Sequence, residues 1–419
     1  MLACYVVFSF SIWNLLPDKA FNILWYIFAT AQTLCAFVGV SLAINSRRPS
    51  VLARRHARKA AKEGFPDLDK KHAHIDVLLI PQGEADTNDI VEGLQYVVDE
   101  VNYPSEKLHV YKDADTSWSL SRRARDLTHI DSRWSNVTSL PCPADAAEAD
   151  IISHALSIST SPIVSIYSCG AVPDPNAFAW VARRFNTGQV DVVHGRRCIS
   201  SPTPSVWSNL ASVDYDVAYG IFQPGTPAGT TSWGMDGHWS RSLLKSLVRR
   251  HRSGLDTSVR ALLSGARSGY DLNVVAFEAA PWGLGDLLGQ RVAWAREWTR
   301  ITGRHGVAWS KTSLALVLLA AYPHVLLQAC CLALASLPRY GPATWSQLYH
   351  HEDGFVISVW LIAFQLMSGV VALSILYRNR SASTPKSAVL VFALLSPLYL
   401  VAFACLMVVG HFKALVRAR

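Results

Sequence analysis

Apolar residues gather at the two ends of the chain and alternate with polar ones in the middle. Residues 20–44 carry no charged side chain, and the same holds for 312–337, 355–377 and 388–410. A helix needs about 20 apolar residues to cross a bilayer, so each of these runs predicts a span. Residues 2–16 (LACYVVFSFSIWNLL) are apolar but short. They lack the basic start of a secretory signal and a second apolar run follows at once, so a first membrane helix is expected there. The pattern predicts a multi-pass membrane protein with a polar central region.

Between about 72 and 300 the period changes. "HIDVLLIP" (74–81) has the continuous apolar character of a buried strand. "DIVEGLQYVVDEV" (89–101) places Ile90, Leu94, Val97, Val98 and Val101 on one helical face. "KLHVYK" predicts a strand, "DIISHALSIS" a helix, "PIVSIYS" a strand, "PNAFAWVARRF" a helix and "VDVVHG" a fourth strand. Such alternation predicts an α/β domain with a mostly parallel sheet covered on both faces. Ligands of these sheets bind beyond the carboxyl ends of the strands, so the residues following each strand are the candidates for chemistry.

Composition and charge sharpen this. The chain of 419 residues is 50% hydrophobic and only 17% charged, low for a soluble protein. Arg47, Arg48, Arg54, Arg55, Arg58, Lys59 and Lys62 follow the second run, and Arg300, Arg304 and Lys311 precede the third. The positive-inside rule then places the central region in the cytoplasm. Arg378, Arg380 and Lys386 return the last loop inside, which leaves the basic tail outside unless one carboxy-terminal segment is re-entrant. Membrane-proximal cations facing anionic lipid account for much of the +8 net charge, and no nucleic-acid partner is required. The expected organisation is membrane helices over 1–45, a basic cytosolic linker over 46–71, an α/β domain over 72–290, an interfacial helix over 290–311 and membrane helices over 312–419. The eight cysteines show no metal spacing; Asn136 and Asn379 match the glycosylation acceptor pattern but fall on the cytoplasmic side, as chance matches.

The strand ends read Pro81-Gln-Gly-Glu84, Lys112-Asp113-Ala-Asp115, Ser168-Cys169-Gly170 running into "AVPDP", and His194-Gly-Arg196-Arg197. "RSGLDTSVRALLSGARSGYDL" and "FEAAPWGLGDLLGQRVAWAREW" follow. In this order, over about 72–300 and between membrane runs, the chain resembles the membrane-embedded family 2 glycosyltransferases, the group of cellulose, chitin and hyaluronan synthases, in its fungal and bacterial form. The resemblance implies a GT-A-like nucleotide-diphospho-sugar transferase domain. It implies transfer of a sugar, with inversion, from a nucleotide-sugar (a UDP-hexose) to a polysaccharide, lipid-associated or small lipophilic acceptor. By the same likeness Asp115 or Asp113 holds the nucleoside, Asp256 is the general base, and Gln290 and Trp294 line the acceptor and diphosphate site. Glu84, Arg196, Arg260, Glu278 and Pro281 also match in place.

The departures lie at the chemistry. Where the family has Asp-x-Asp, whose carboxylates hold Mg²⁺ or Mn²⁺ against the diphosphate, this chain has Ser168, Cys169 and Gly170. The base motif is reduced to Gly254-Leu255-Asp256, and the arginine of the Gln-x-x-Arg-Trp motif is Ala293. Arg291 joins Gln290 and Trp294 as a candidate for the acceptor and diphosphate site. Two readings follow. Either cations replace the metal, with Arg196, Arg197 and Arg296 the candidates, or the site is degenerate and binds a nucleotide-sugar or a partner without turnover. The residues also have plain readings: Asp256 as the cap of helix "TSVRALLSG", Asp113 and Asp115 as turn residues, and Trp294 and Trp298 as the apolar stripe of an interfacial helix. His350 and His351 read as surface residues.

Overall fold

The computed structural model describes residues 2–68, 72–80, 87–105, 108–113, 135–140, 148–168, 170–200, 205–226, 237–248, 254–281, 283–305, 323–336 and 352–417. The chain divides into two compact units, one of residues 1–45, 203–213 and 281–419, the other of 46–202 and 214–280.

Helix α1 (Leu2–Leu15) is followed by α2 (Asp18–Glu63), which runs without a break through Pro49 and the basic segment. The division between units falls inside α2, at residues 45 and 46. What the sequence reads as a linker is therefore helical as far as Glu63.

The second unit is built on one eight-stranded sheet. In chain order come β1 (Ile75–Ile80), α3 (Thr87–Asp99), β2 (Leu108–Asp113), β3 (Val137–Leu140), α4 (Glu148–Ile158), β4 (Ile163–Ser168), β5 (Val172–Pro173) and α5 (Ala177–Asn186). Then follow β6 (Val192–Ile199), α6 (Val206–Val217), a π-helical turn at Ala218–Phe222, β7 (Gly237–Ser240), α7 (Arg241–Val248), α8 (Gly254–Leu263) and β8 (Ser268–Glu278). The spatial order is β3-β2-β1-β4-β7-β6-β8-β5. Every residue of β1 is buried: Ile75, Val77 and Leu79 pack with Leu94, Val97, Phe178 and Val181 of α3 and α5. Leu78 and Ile80 pack on the opposite face with Ile152, Leu156 and Leu244 of α4 and α7. Helices on both faces explain why the strand is apolar throughout and does not alternate.

Most strands of the sheet run parallel, as expected, and part of it is antiparallel. β1–β2, β1–β4, β2–β3 and β6–β8 are parallel, but β4–β7, β6–β7 and β5–β8 are antiparallel. Two of the antiparallel pairs come from β7, four residues (GHWS) that insert between β4 and β6, and the third from β5 at the sheet edge. A segment that short carries no readable period.

The remaining described helices are α9 (Leu284–His305), α10 (Pro323–Ser336), α11 (Glu352–Asn379) and α12 (Lys386–Arg417). Among the described residues, three helical stretches are long and apolar enough to cross a membrane: within α2, at Trp360–Asn379 and at Leu398–Val416. Leu34, Phe37, Trp360, Leu366 and Leu398 stand exposed on them. Apolar surface of this extent marks a contact with lipid or protein. Residues 312–322 of the third expected span lie outside the described residues. Trp13, Phe21, Leu327, Leu332, Ala404 and Val408 pack α1, α2, α10 and α12 together. Between helices the Gln365 amide donates to Thr33 Oγ1 at 2.9 Å, and Gln328 donates to the Tyr5 hydroxyl. A Cβ on Gly410 would meet the Ala295 Cβ at 2.4 Å, so α12 and α9 cross at the distance only small residues permit.

Candidate functional site

β1, β2, β3, β4, β6 and β8 all point the same way, so their carboxyl ends share one edge of the sheet. Ile80 pairs with Ser168, and Leu79 with Lys112. This puts Asp113, Ile80 and Ser168 in one row at the edge. β6 runs past the start of β7, which pairs only as far as Val193, and its last residues lie against β8 alone. At Gly195/Arg196 the register jumps: Gly195 faces Asp271, Arg196 faces Val275. Such a bulge re-aims the side chains beyond it. Gly195 is required there, because a Cβ would sit 2.2 Å from the Val274 carbonyl oxygen.

Beyond the bulge, Arg196, Arg197 and Glu278 line a cleft whose floor includes Tyr167 of β4 and His238 of β7. Arg196 Nη2 donates to Asp216 Oδ1 at 2.5 Å, with the two side chains 13% and 1% exposed. Burial works against the Arg196 charge, but the Asp216 carboxylate, with Cys198 and Tyr270 nearby, raises the guanidinium's pKa on balance. Arg197 Nη1 lies 3.0 Å from Glu278 Oε1, and the Tyr215 hydroxyl donates to Glu278 Oε2 at 2.7 Å. Burial, then the Glu278 charge, holds the Tyr215 hydroxyl well above the usual phenol range. The Arg197 guanidinium lies over the Tyr219 ring at 5.9 Å. Tyr219 sits in the π-helical turn, and its carbonyl accepts the Tyr270 hydroxyl at 2.5 Å. Below, Ser165 Oγ and His238 Nδ1 are 2.7 Å apart. Burial, with His194 nearby, pushes His238 down to about 3, so it is neutral at physiological pH.

Tyr215, Asp216 and Tyr219 did not emerge from the sequence pattern. The available signal was a charged residue inside an apolar helical run, "VDYDVAY", because a buried carboxylate requires a partner.

Asp256 is fully buried, 0% exposed, and its Oδ2 accepts from Arg260 Nε at 2.8 Å. It is the third residue of α8, inside the first turn, so the reading as a helix cap is corrected. In the other unit, Gln290, Arg291, Trp294 and Arg296 all lie on α9. Arg291, 3% exposed, stands over the Trp294 ring at 4.4 Å and the Phe403 ring at 5.6 Å. One face of Trp294, expected to meet a sugar, is thus covered by a guanidinium. Glu84, Asp115 and Cys169, and the side chain of Asp113, lie outside the described residues.

The donors at the metal position do not fit a divalent cation. Ser168 offers a hydroxyl and Gly170 no side chain, whereas hard dications take carboxylates. Asp174, the nearest substitute in sequence, accepts the Asn176 N–H at 3.0 Å as a turn residue. No group of three or more His, Cys, Asp or Glu placed to hold a metal occurs among the described residues.

No protein-family model and no curated protein matches this chain. Among solved structures it is similar to a mannosyltransferase from Pyrobaculum calidifontis in complex with GDP-mannose and Mn²⁺, at 16% identity and a TM-score of 0.49. That similarity covers 93% of this chain and 100% of the other. It is also similar to residues 1–349 of TarS from S. aureus, at 13% identity and a TM-score of 0.36, covering 82% and 91%. Likeness at these scores is coarse.

Proposed function

We propose that the chain is a membrane-embedded, inverting sugar transferase that takes a hexose from a nucleotide-sugar and passes it to a lipid-associated, lipophilic or polysaccharide acceptor. The observation that carries this reading is the gathering of Ser168, Arg196, Arg197 and Glu278 at the carboxyl edge of one sheet. Crevices at that edge are where α/β sheets bind nucleotides. The order of the motifs between apolar helices supports it further. In the reaction the acceptor hydroxyl oxygen attacks the anomeric carbon, and the bond from that carbon to the diphosphate oxygen breaks. The hydroxyl proton passes to the Asp256 carboxylate, which Arg260 orients. A base so placed contributes about 10²–10⁴-fold. The nucleoside falls to Asp113 and Asp115, which follow β2 in the sequence. The domain lies in the cytoplasm, as the flanking arginines and lysines favour.

A second reading has its own support: the site lacks the metal carboxylates, and Asp256 is closed off from solvent by its pair with Arg260. In that reading the chain binds a nucleotide-sugar without turnover. A donor screen on the detergent-purified protein, read by nucleotide release, separates the two. Release that Asp256→Asn abolishes supports transfer; stabilisation by UDP or GDP with no release from any donor supports binding alone.

A further inference from the structure

We propose that the cleft between the ends of β6 and β8 receives the uncharged, hydroxyl-rich ring of a sugar, and that the diphosphate lies elsewhere. This deepens the transferase reading and rests on it. The two arginines look at first like a diphosphate clamp. Each, however, is already matched by a carboxylate: Arg196 by Asp216, Arg197 by Glu278. These two pairs bring two positive and two negative charges to the cleft, so they add no net charge. A diphosphate bearing two or more negative charges would either be repelled by the Asp216 and Glu278 carboxylates or have to displace one of them. Displacing Asp216, 1% exposed, would strand a charge away from water, which proteins strongly resist. His238 on the floor adds no cation, because burial keeps its imidazole neutral.

The same groups suit a sugar. A hydroxyl both donates and accepts, and a guanidinium beside a carboxylate offers several N–H donors next to oxygen lone pairs. The Arg197 and Glu278 side chains are 20% and 18% exposed, so part of each is open to a ligand while their mutual bond holds them in place. Tyr215 fixes the far oxygen of Glu278, and the Tyr219 ring supports the Arg197 plane. The fork is thus preorganised without being charged overall.

The test compares affinities by calorimetry on the full chain in detergent. UDP-glucose is set against UDP, and GDP-mannose against GDP. The variant Arg197→Met combined with Glu278→Gln removes the pair and keeps the charge balance. The expected result is a loss of about tenfold in affinity for the sugar nucleotide, with the free diphosphate unchanged within about twofold. An equal loss for UDP or GDP would place the diphosphate on Arg197 and overturn the proposal. If the double variant does not fold, Arg197→Lys keeps the charge but not the planar fork. It is expected to weaken the sugar nucleotide alone, and equal weakening of the diphosphate again overturns the idea. Should the wild type bind no nucleotide at all, methyl α-D-glucopyranoside and methyl α-D-mannopyranoside at high concentration decide separately. A rise in melting temperature in the wild type that Arg197→Lys lacks leaves the sugar cleft standing while the nucleotide reading falls. No rise, or the same rise in both, removes the sugar cleft too.

Discussion

Replacing Asp216 by alanine removes the buried carboxylate that the Arg196 guanidinium donates to. Asp216 is 1% exposed and Arg196 13%, and their contact is 2.5 Å. Removing one partner of a buried pair costs about 3–5 kcal/mol, because the remaining charge loses its neighbour without regaining water. Arg196 reaches the cleft, where water can partly screen it, so the lower end, about 3 kcal/mol, is expected. At about 2–4 °C per kcal/mol for a unit of this size, the melting midpoint falls by about 6–12 °C. The double variant Arg196→Met with Asp216→Leu removes both charges and is expected to lie within about 1 kcal/mol of the parent. Thermal unfolding of the detergent-solubilised chain, followed by tryptophan fluorescence across the four proteins of the cycle, measures the coupling. A loss below about 1 kcal/mol for Asp216→Ala would mean that water already screens the pair. A double variant costing the sum of the two singles would mean that the charges are uncoupled. Either result refutes the description of a buried, mutually compensating pair, and with it the charge balance of the cleft.

Other outcomes follow from the same geometry. Gly195→Ala drives a methyl into the Val274 carbonyl and is expected to destabilise by about 1–3 kcal/mol or more, whereas Gly170→Ala, with nothing within 4 Å of its Cβ, is close to neutral by the same melting assay. His238 binds its proton at about 3 when folded and at 6.5 when exposed, so the unfolded chain takes up the proton first as pH falls. Stability from this group is full above pH 6.5 and declines toward pH 3. By pH 4.5 the loss is about 3 kcal/mol, and His238→Gln is expected to flatten that part of the stability profile. If the chain transfers sugar, EDTA is expected to leave nucleotide release within about twofold, because the residues at the metal position are not suited to a dication; chelator-sensitive turnover would contradict that.

The apolar stretches were legible in the sequence for a simple reason: burial on all sides, whether in a covered sheet or in lipid, leaves a continuous mark. β1, β2, β4 and β6 fall where their runs predict, as do α3, α4 and α5. Ser168 and Arg196 were marked by following apolar strand runs, and Glu278 by the family resemblance; in the structure Arg196 lies inside β6 and Glu278 ends β8. β7 was not, because its GHWS carries too few residues to show a period, and only the pairing of Ile163 with Ser240 and of Val192 with Trp239 makes it a strand. The sequence by itself therefore determined where polar and apolar segments lie, and which charged residues stand at the strand ends. The tertiary structure decided what those charges do. Arg196 meets Asp216 20 residues along the chain, and Arg197 meets Glu278 across a parallel strand pair with a bulge between. Charge compensation depends on distance in space, and spacing along a sequence does not encode it once a chain crossover intervenes.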